Sequence, residues 1–369
     1  MKRFLLRLTA FLLPVVLLAA AMLGALAASG EMCRISDVAA RMADGEPLRF
    51  ELNYRANATA QLKSETAAAR GAELLVLGTS RTMQFRAAMF PDGDFYNAGG
   101  AVSTLGQMLP FLQSLPPEKL PRTLIVGLDQ YFFNADWDAA VTSDANYAPT
   151  VDAVQPLAML ESFLHHCGEG KINLLRLLQA DERVIGVPAR VRGSGFLSDG
   201  SYRYGTQAAD GTVDLTFSDA RGRIADGSNR FQYGEEVSAG ALNILRELLG
   251  WCSEQGIQVV GYLPPYAPGI RQAMLESGRY AYMDAIYGEI LEIFDIFDME
   301  CYDFTGMPDT QDAEFVDGFH AGDAVYCKML LAMLRQSSCL AQYTDAAALN
   351  ALLQQAENAR VLADPNDIL

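Results

Sequence analysis

The residues whose types and spacing could do chemistry lie near opposite ends of the chain. Ser80 follows Leu74-Leu75-Val76-Leu77-Gly78-Thr79, an apolar run of strand character that stops at a glycine. A serine at that point sits where a helix can begin, at the carboxyl edge of a parallel sheet, which is the ligand edge of open α/β folds. Far downstream, Asp317-Gly318-Phe319-His320 places a carboxylate three residues before an imidazole. In a loop or a first helical turn that spacing lets Asp317 reach the Nδ1–H of His320. The carboxylate then fixes the tautomer and stabilises the imidazolium, leaving Nε2 to take a proton from a serine. A serine hydroxyl is a poor nucleophile until such a base stands within hydrogen-bond reach. Ser80, Asp317 and His320 are therefore the candidate catalytic set, and the chemistry they suit is acyl transfer.

Each signal alone has a structural reading. Serine is a common helix N-cap, and aspartate near a helix start is another. The turn is not the G-x-S-x-G elbow of α/β-hydrolases, because Thr82 stands where the second glycine belongs. Scarcity narrows the field. Only three histidines are present, and His165-His166 fall in a stretch of helical character, where neighbours point about 100° apart and form no joint metal site alone. The six cysteines, Cys33, Cys167, Cys252, Cys301, Cys327 and Cys339, show no C-x-x-C and no zinc spacing, and read as buried free thiols, with disulfides, permitted outside the cell, as the alternative. A metal-dependent hydrolase is the third class considered, and it lacks a ligand cluster. Neither a Walker loop nor a G-x-G-x-x-G fingerprint is present. The sequence calls for no metal and no organic cofactor.

The elements that must position these residues follow from the pattern of the chain. Its 369 residues, half hydrophobic and a fifth charged, suit one large α/β domain with an insertion. A net charge of −17 argues against a nucleic-acid partner, whose binders carry a basic footprint. At the amino terminus Lys2, Arg3 and Arg7 precede an apolar stretch from Leu8 to Ala28, about the length that crosses a bilayer. Basic residues before the span place the amino terminus in the cytoplasm and the rest outside. The expected localisation is a single-pass anchor with an extracytoplasmic domain. The alternative is secretion after cleavage at the small-residue site Ala25-Leu26-Ala27.

Strands are expected at Glu73–Gly78, Asp94–Asn97, Thr123–Leu128, Ile257–Leu263 and Glu300–Phe304, and helices at Asn57–Arg70, Arg81–Phe90, Ser103–Leu115, Glu236–Gln255, Arg271–Phe294 and Asp323–Gln336. Between the third and fourth strands the alternation lapses. Ala135–Tyr147 reads as loop, Val154–Gln179 as helices and Gly193–Asn229 as turn-rich, an ordered insertion. The expected fold class is α/β, a flavodoxin-like three-layer α/β/α with about five parallel strands. Its organisation is a signal anchor or signal peptide at 1–30 and a juxtamembrane spacer with the first helix at 31–72. The α/β domain covers 73–340 with an insertion at about 135–235, and a helical tail covers 341–369.

Three short blocks in order carry a resemblance: Gly78-Thr79-Ser80, Tyr96-Asn97-Ala98-Gly99-Gly100 and Asp317-Gly318-Phe319-His320. Together they resemble the SGNH (GDSL-type) hydrolase superfamily over roughly Glu73–Leu334. With the amino-terminal anchor, the Gly-Thr-Ser-Arg turn and the large insertion, the chain is similar to its membrane-anchored branch. That branch holds the DltD-type and alginate-acetylation-type proteins that work beside membrane-bound O-acyltransferases on cell-envelope polymers. The resemblance implies Ser80 as nucleophile, His320 as base and Asp317 as its orienting carboxylate. It implies an oxyanion hole from the N–H of Ser80 and one from the Gly99–Val102 turn. Family spacing points to Val102, whereas the bare backbone of Gly99 or Gly100 allows the closest approach. The expected partners are a cell-envelope polysaccharide or other polymer, a membrane-bound O-acyltransferase, and the membrane through the amino-terminal helix.

The sequence departs from the family once. Where the superfamily supplies an oxyanion-hole asparagine in a Gly-x-Asn pattern, this chain reads Gly127-Leu128-Asp129. An ionised carboxylate repels a developing oxyanion, so Asp129 points elsewhere or the hole is built differently. Asp129 and Arg81 are the candidate substrate-binding residues, each with a structural alternative: a turn cap for Asp129 and an ion pair for Arg81. Tyr131-Phe132-Phe133 and Tyr202-Arg203-Tyr204 could stack on sugar rings, core packing being the alternative for the first. Two function classes emerge: a serine esterase or O-acyltransferase, and a non-catalytic scaffold of the same fold.

Overall fold

A computed structural model describes residues 1–55, 58–141, 154–168, 172–177 and 181–363. The expected loop at 142–147, the helical content at 169–171 and 178–179, and the helix start at 57 lie outside the described residues. In chain order the strands are β1 (Arg49–Phe50), β2 (Leu74–Leu77), β3 (Phe95–Asn97), β4 (Thr123–Gly127), β5 (Val184–Ile185), β6 (Gly195–Leu197), β7 (Tyr202–Arg203), β8 (Gln258–Leu263) and β9 (Glu300–Asp303).

Five of them form an all-parallel sheet in the order β3-β2-β4-β8-β9. Numbered within that sheet, the order is 2-1-3-4-5, so the chain reverses direction of travel between β2 and β4. A crevice opens at such a switch point, outside the carboxyl ends of the strands. Leu-Leu-Val-Leu in β2 and Thr-Leu-Ile-Val-Gly in β4 are buried at every position. Continuous apolar runs of this kind mark parallel strands covered on both faces. Each fully buried leucine or valine contributes about 1.5–3 kcal/mol relative to an exposed one.

Of the expected helices three differ, the one at Ser103–Leu115 being α-helical only over Met108–Gln113. Helices also form at Ile35–Ala43 and Ser218–Asp226, where a spacer and turns were expected. The single helix expected at Arg271–Phe294 is two, Pro268–Ser277 and Tyr282–Ile296, because Gly278 closes the first in a left-handed conformation (φ 64°). No α-helix covers Arg81–Phe90, which holds two short 3₁₀ turns, Ser80–Thr82 and Ala87–Met89. The cause is Asn97. Its Nδ2 donates to the carbonyls of Thr82 and Phe85, both at 2.9 Å, and so takes acceptors that an α-helix would use for itself.

The segment at 31–72 is more than a spacer and helix. β1 pairs in parallel with β5 and antiparallel with β6, and β6 pairs with β7, giving a second sheet of order β5-β1-β6-β7. Ile35, Val38, Met42, Leu48, Phe50 and Leu62 pack with Ile185 and Phe196 into its own core. The rest of the insertion divides differently, since Phe217, Ala220, Ile224 and Phe231 join the main core. Buried Lys63 bridges the two sheets. Its Nζ donates to the carbonyls of Asn97 at 2.7 Å and of Gly200, with the ring of Phe196 4.3 Å away. The tail helix Ala346–Gln354 buries Leu349 and is capped by Asp345. The helix Lys2–Ser29 is apolar and long enough to cross a membrane, as an anchor or a signal sequence. All six cysteines are free, with Cys252, Cys301 and Cys327 buried.

Candidate active site

The turn that carries Ser80 is held from below by close packing. Thr79 caps the 3₁₀ turn, its Oγ1 accepting from the N–H of Arg81 at 3.2 Å. Thr82 sits where three strand ends converge: a Cβ added at Gly78, Gly99 or Gly127 would collide with its side chain. Glycine at those three positions lets the Ser80 turn settle directly on β2, β3 and β4. The residue that breaks the G-x-S-x-G pattern is thus the one the glycines enclose.

On the far side, Val316–His320 forms a tight loop. Phe315 and Ala321 make an antiparallel bridge, and the N–H of Val316 donates to the carbonyl of His320 at 2.9 Å. Gly318 adopts φ 80°, which a side chain would strain, and a Cβ there would strike Ile270 and Phe217. This loop brings Asp317 and His320 to the mouth of the sheet. The structure places all three expected catalytic residues together. Ser80 Oγ lies 2.8 Å from His320 Nε2, and His320 Nδ1 lies 2.7 Å from Asp317 Oδ2. The other oxygen, Asp317 Oδ1, accepts the backbone N–H groups of Phe319 at 3.0 Å and His320 at 2.7 Å. Desolvation works against the Asp317 charge. The imidazole beside it and these hydrogen bonds outweigh that effect and hold its pKa down at about 2. Asp317 is therefore ionised at any pH well above 2.

The two candidate substrate-binding residues are located elsewhere in function. Arg81 and Asp129 are 1% and 2% exposed at their side chains and form a buried ion pair at 3.0 Å beneath Ser80. Neither reaches solvent, so neither meets a substrate. Asp129 also accepts from Thr79 Oγ1 at 2.6 Å and Tyr131 OH at 3.3 Å, and so points into the floor. Arg81 binds Gln130 Oε1 at 2.9 Å and the carbonyls of Pro264 at 3.1 Å and Pro265 at 2.7 Å. Its guanidinium lies between the rings of Tyr266 and Phe319, each 4.4 Å away. One side chain thereby joins the loops after β2, β4 and β8 to the residue next to His320. The ion pair was the structural alternative for Arg81, but sequence reasoning gave neither its partner nor its other contacts, because nothing local tells an arginine for substrate from an arginine for four loops.

The glycines expected to serve as oxyanion donors are also occupied. The N–H of Gly99 donates to Asn97 Oδ1 at 2.7 Å, and that of Gly100 to the carbonyl of Gly78 at 2.9 Å. Both bonds shape the turn and give these amides acceptors within the protein. Among the described residues the N–H groups of Ser80 and Val102 make no backbone or side-chain hydrogen bond. Tyr131, Phe132 and Phe133 are buried in the core. Tyr204, from the second run, stands with its ring 6.4 Å from that of His320.

Among the described residues no group of three or more His, Cys, Asp or Glu side chains is placed to hold a metal ion. Compared with models of known protein families, with curated proteins and with solved structures, the chain matches none.

Proposed function

We propose that the protein is an extracytoplasmic, membrane-anchored serine acyl esterase or O-acyltransferase of SGNH type that acts on a cell-envelope glycan or related polymer. One observation carries the reading: a hydroxyl, an imidazole and a carboxylate, 240 residues apart at the first link, meet in a relay with steps of 2.8 and 2.7 Å. The sheet order and the switch point beneath Ser80 support a flavodoxin-like three-layer architecture for the domain.

In this reading Ser80 Oγ attacks the ester carbonyl as its proton passes to His320 Nε2. Asp317 holds the ring by Nδ1 and stabilises the imidazolium. The tetrahedral oxyanion meets the N–H of Ser80 and of Val102, donors of a kind worth about 2.7–4 kcal/mol each when removed from comparable sites. Collapse expels the alcohol, which takes the proton from His320 and leaves an acyl ester on Ser80. Water or a sugar hydroxyl then attacks that ester, with His320 as base, and restores the free serine.

A scaffold protein of the same fold is the second reading, favoured by Asp129 in the place of the oxyanion-hole asparagine. Labelling of the full-length protein with a serine-directed fluorophosphonate tells the two apart. The enzyme reading expects labelling that Ser80→Ala abolishes. Absent labelling, or equal labelling of the variant, favours the scaffold.

A further inference from the structure

The apolar amino-terminal helix changes surroundings partway along its length. Residues 1–18 are exposed all round. From Ala19 onward one face turns inward. Met22, Leu23 and Leu26 pack with Met159, Phe163, Leu177 and Val187 of the insertion, and Leu26 is wholly buried. The helix end is fastened as well as packed. The carbonyl of Ser29 accepts the N–H of Gly186 at 2.7 Å. Buried Glu31 accepts the N–H of Val187 at 2.8 Å and of Asn53 at 3.1 Å. The last two turns of the apolar helix are thus part of the domain's own core, and cleavage at Ala25-Leu26-Ala27 would remove Leu26 from it.

Lys2, Arg3 and Arg7 lie in the exposed part, so its apolar length is Leu8–Leu18, roughly 16 Å at 1.5 Å per residue, and the docked turns complete a span of about 30 Å. No linker separates that part from the docked turns, so the domain must begin at the membrane surface. The element packed against those turns is the helix Pro156–Gly168. Met159 and Phe163 face the protein, while Leu157 and Leu164, seven residues apart and so on one face, are 81% and 45% exposed. Exposed leucines on this largely apolar helix, which has no Lys or Arg and one carboxylate, Glu161, present hydrocarbon surface beside a spanning helix.

We propose that the amino-terminal helix is retained and that the helix Pro156–Gly168 lies in the bilayer interface beside it, with Leu157 and Leu164 among the acyl chains. The domain is thereby docked flush on the lipid surface and not tethered above it. The occupant is lipid. Continuity with the spanning helix places the leucine face at the bilayer boundary, and an exposed apolar face there needs no protein partner.

The test uses the full chain in phosphatidylcholine–phosphatidylglycerol liposomes whose acyl chains are brominated, which quench nearby tryptophan. Leu157→Trp and Leu164→Trp should each add fluorescence that the brominated lipid quenches about twofold or more. Leu275→Trp, at an exposed site on the helix Pro268–Ser277, should add fluorescence that it does not quench. Intact mass of the protein purified from membranes should include residues 1–28. Cleavage before Ser29, or unquenched emission at both 157 and 164, overturns the proposal, as does equal quenching at 275. None of these readouts depends on Ser80 chemistry, so the docking and the enzymatic reading fail separately.

Discussion

Two acid–base pairs lie within a few residues of Ser80, and they do different work. Arg81 and Asp129 meet at 3.0 Å with 1% and 2% of their side chains exposed, whereas His320 and Asp317 meet at 2.7 Å with 20% and 51% exposed. Moving two charges into the floor costs desolvation that their attraction repays only when every remaining lone pair and proton is bonded. Asp129 and Arg81 approach that state by collecting neighbours from their own two loops and from two others. The rim pair keeps access to water and lies against Ser80 Oγ. Charge in the floor joins the loops, and in the proposed function charge at the rim moves the proton.

The comparison is broken most directly at the rim. Ser80→Ala should cut acyl turnover by a factor on the order of 10⁶, the loss expected when such a nucleophile is removed. Asp317→Asn should cost on the order of 10⁴ in kcat by imposing the wrong tautomer on His320. Both variants should keep the parental thermal midpoint within about a degree. A large fall in midpoint with either would make the rim structural and erase the distinction.

The floor should answer the other way. Asp129→Ala leaves the Arg81 charge uncompensated and should lower unfolding stability by about 3–5 kcal/mol, read from urea midpoints. The Arg81→Met/Asp129→Leu double variant should lose less than either single change. If the two losses simply add, the pair is not acting as one unit.

Lys63 sharpens the point, being a buried cation whose hydrogen-bond acceptors are carbonyls. Burial lowers its pKa from 10.5 to about 7. A folded pKa below the unfolded one means the unfolded chain binds the extra proton between those values, so stability rises with pH across that window. Urea midpoints should climb from pH 7 to about 10, where tyrosine ionisation in the unfolded chain begins to oppose them. Lys63→Met should flatten the climb. The smallest effect belongs to Asp317. Its folded pKa of about 2 lies below the ordinary 3.8, so its stabilisation is present above about pH 4 and fades as pH falls toward 2. Half-exposed, it should contribute little, and the acid limb of Asp317→Asn should differ only slightly from the parent.

Much of the sheet was legible because parallel strands buried on both faces leave an unmistakable mark. Leu74–Leu77, Thr123–Gly127 and Gln258–Leu263 lie within a residue or two of the expected strands. The second sheet was not legible. β1, β5, β6 and β7 are two or three residues each, too short for a period to register, and β1 finds its partners more than a hundred residues away. The helix expected after Ser80 failed for a similar reason, since the competing donor is Asn97 from another strand.

By itself the sequence determined which residues were eligible for the site. Three histidines, one aspartate spaced to orient one of them, and one serine behind an apolar strand leave few combinations. It also determined the strand alternation and the apolar amino terminus, because periodicity and run length are local properties. Tertiary structure alone decided that Arg81 and Asp129 belong to the floor, that Gly99 and Gly100 have spent their amides, and that Leu26 belongs to the core. Each of those outcomes depends on what a distant segment brings to the residue. A side chain's partners, unlike its type, are set only when the chain closes on itself.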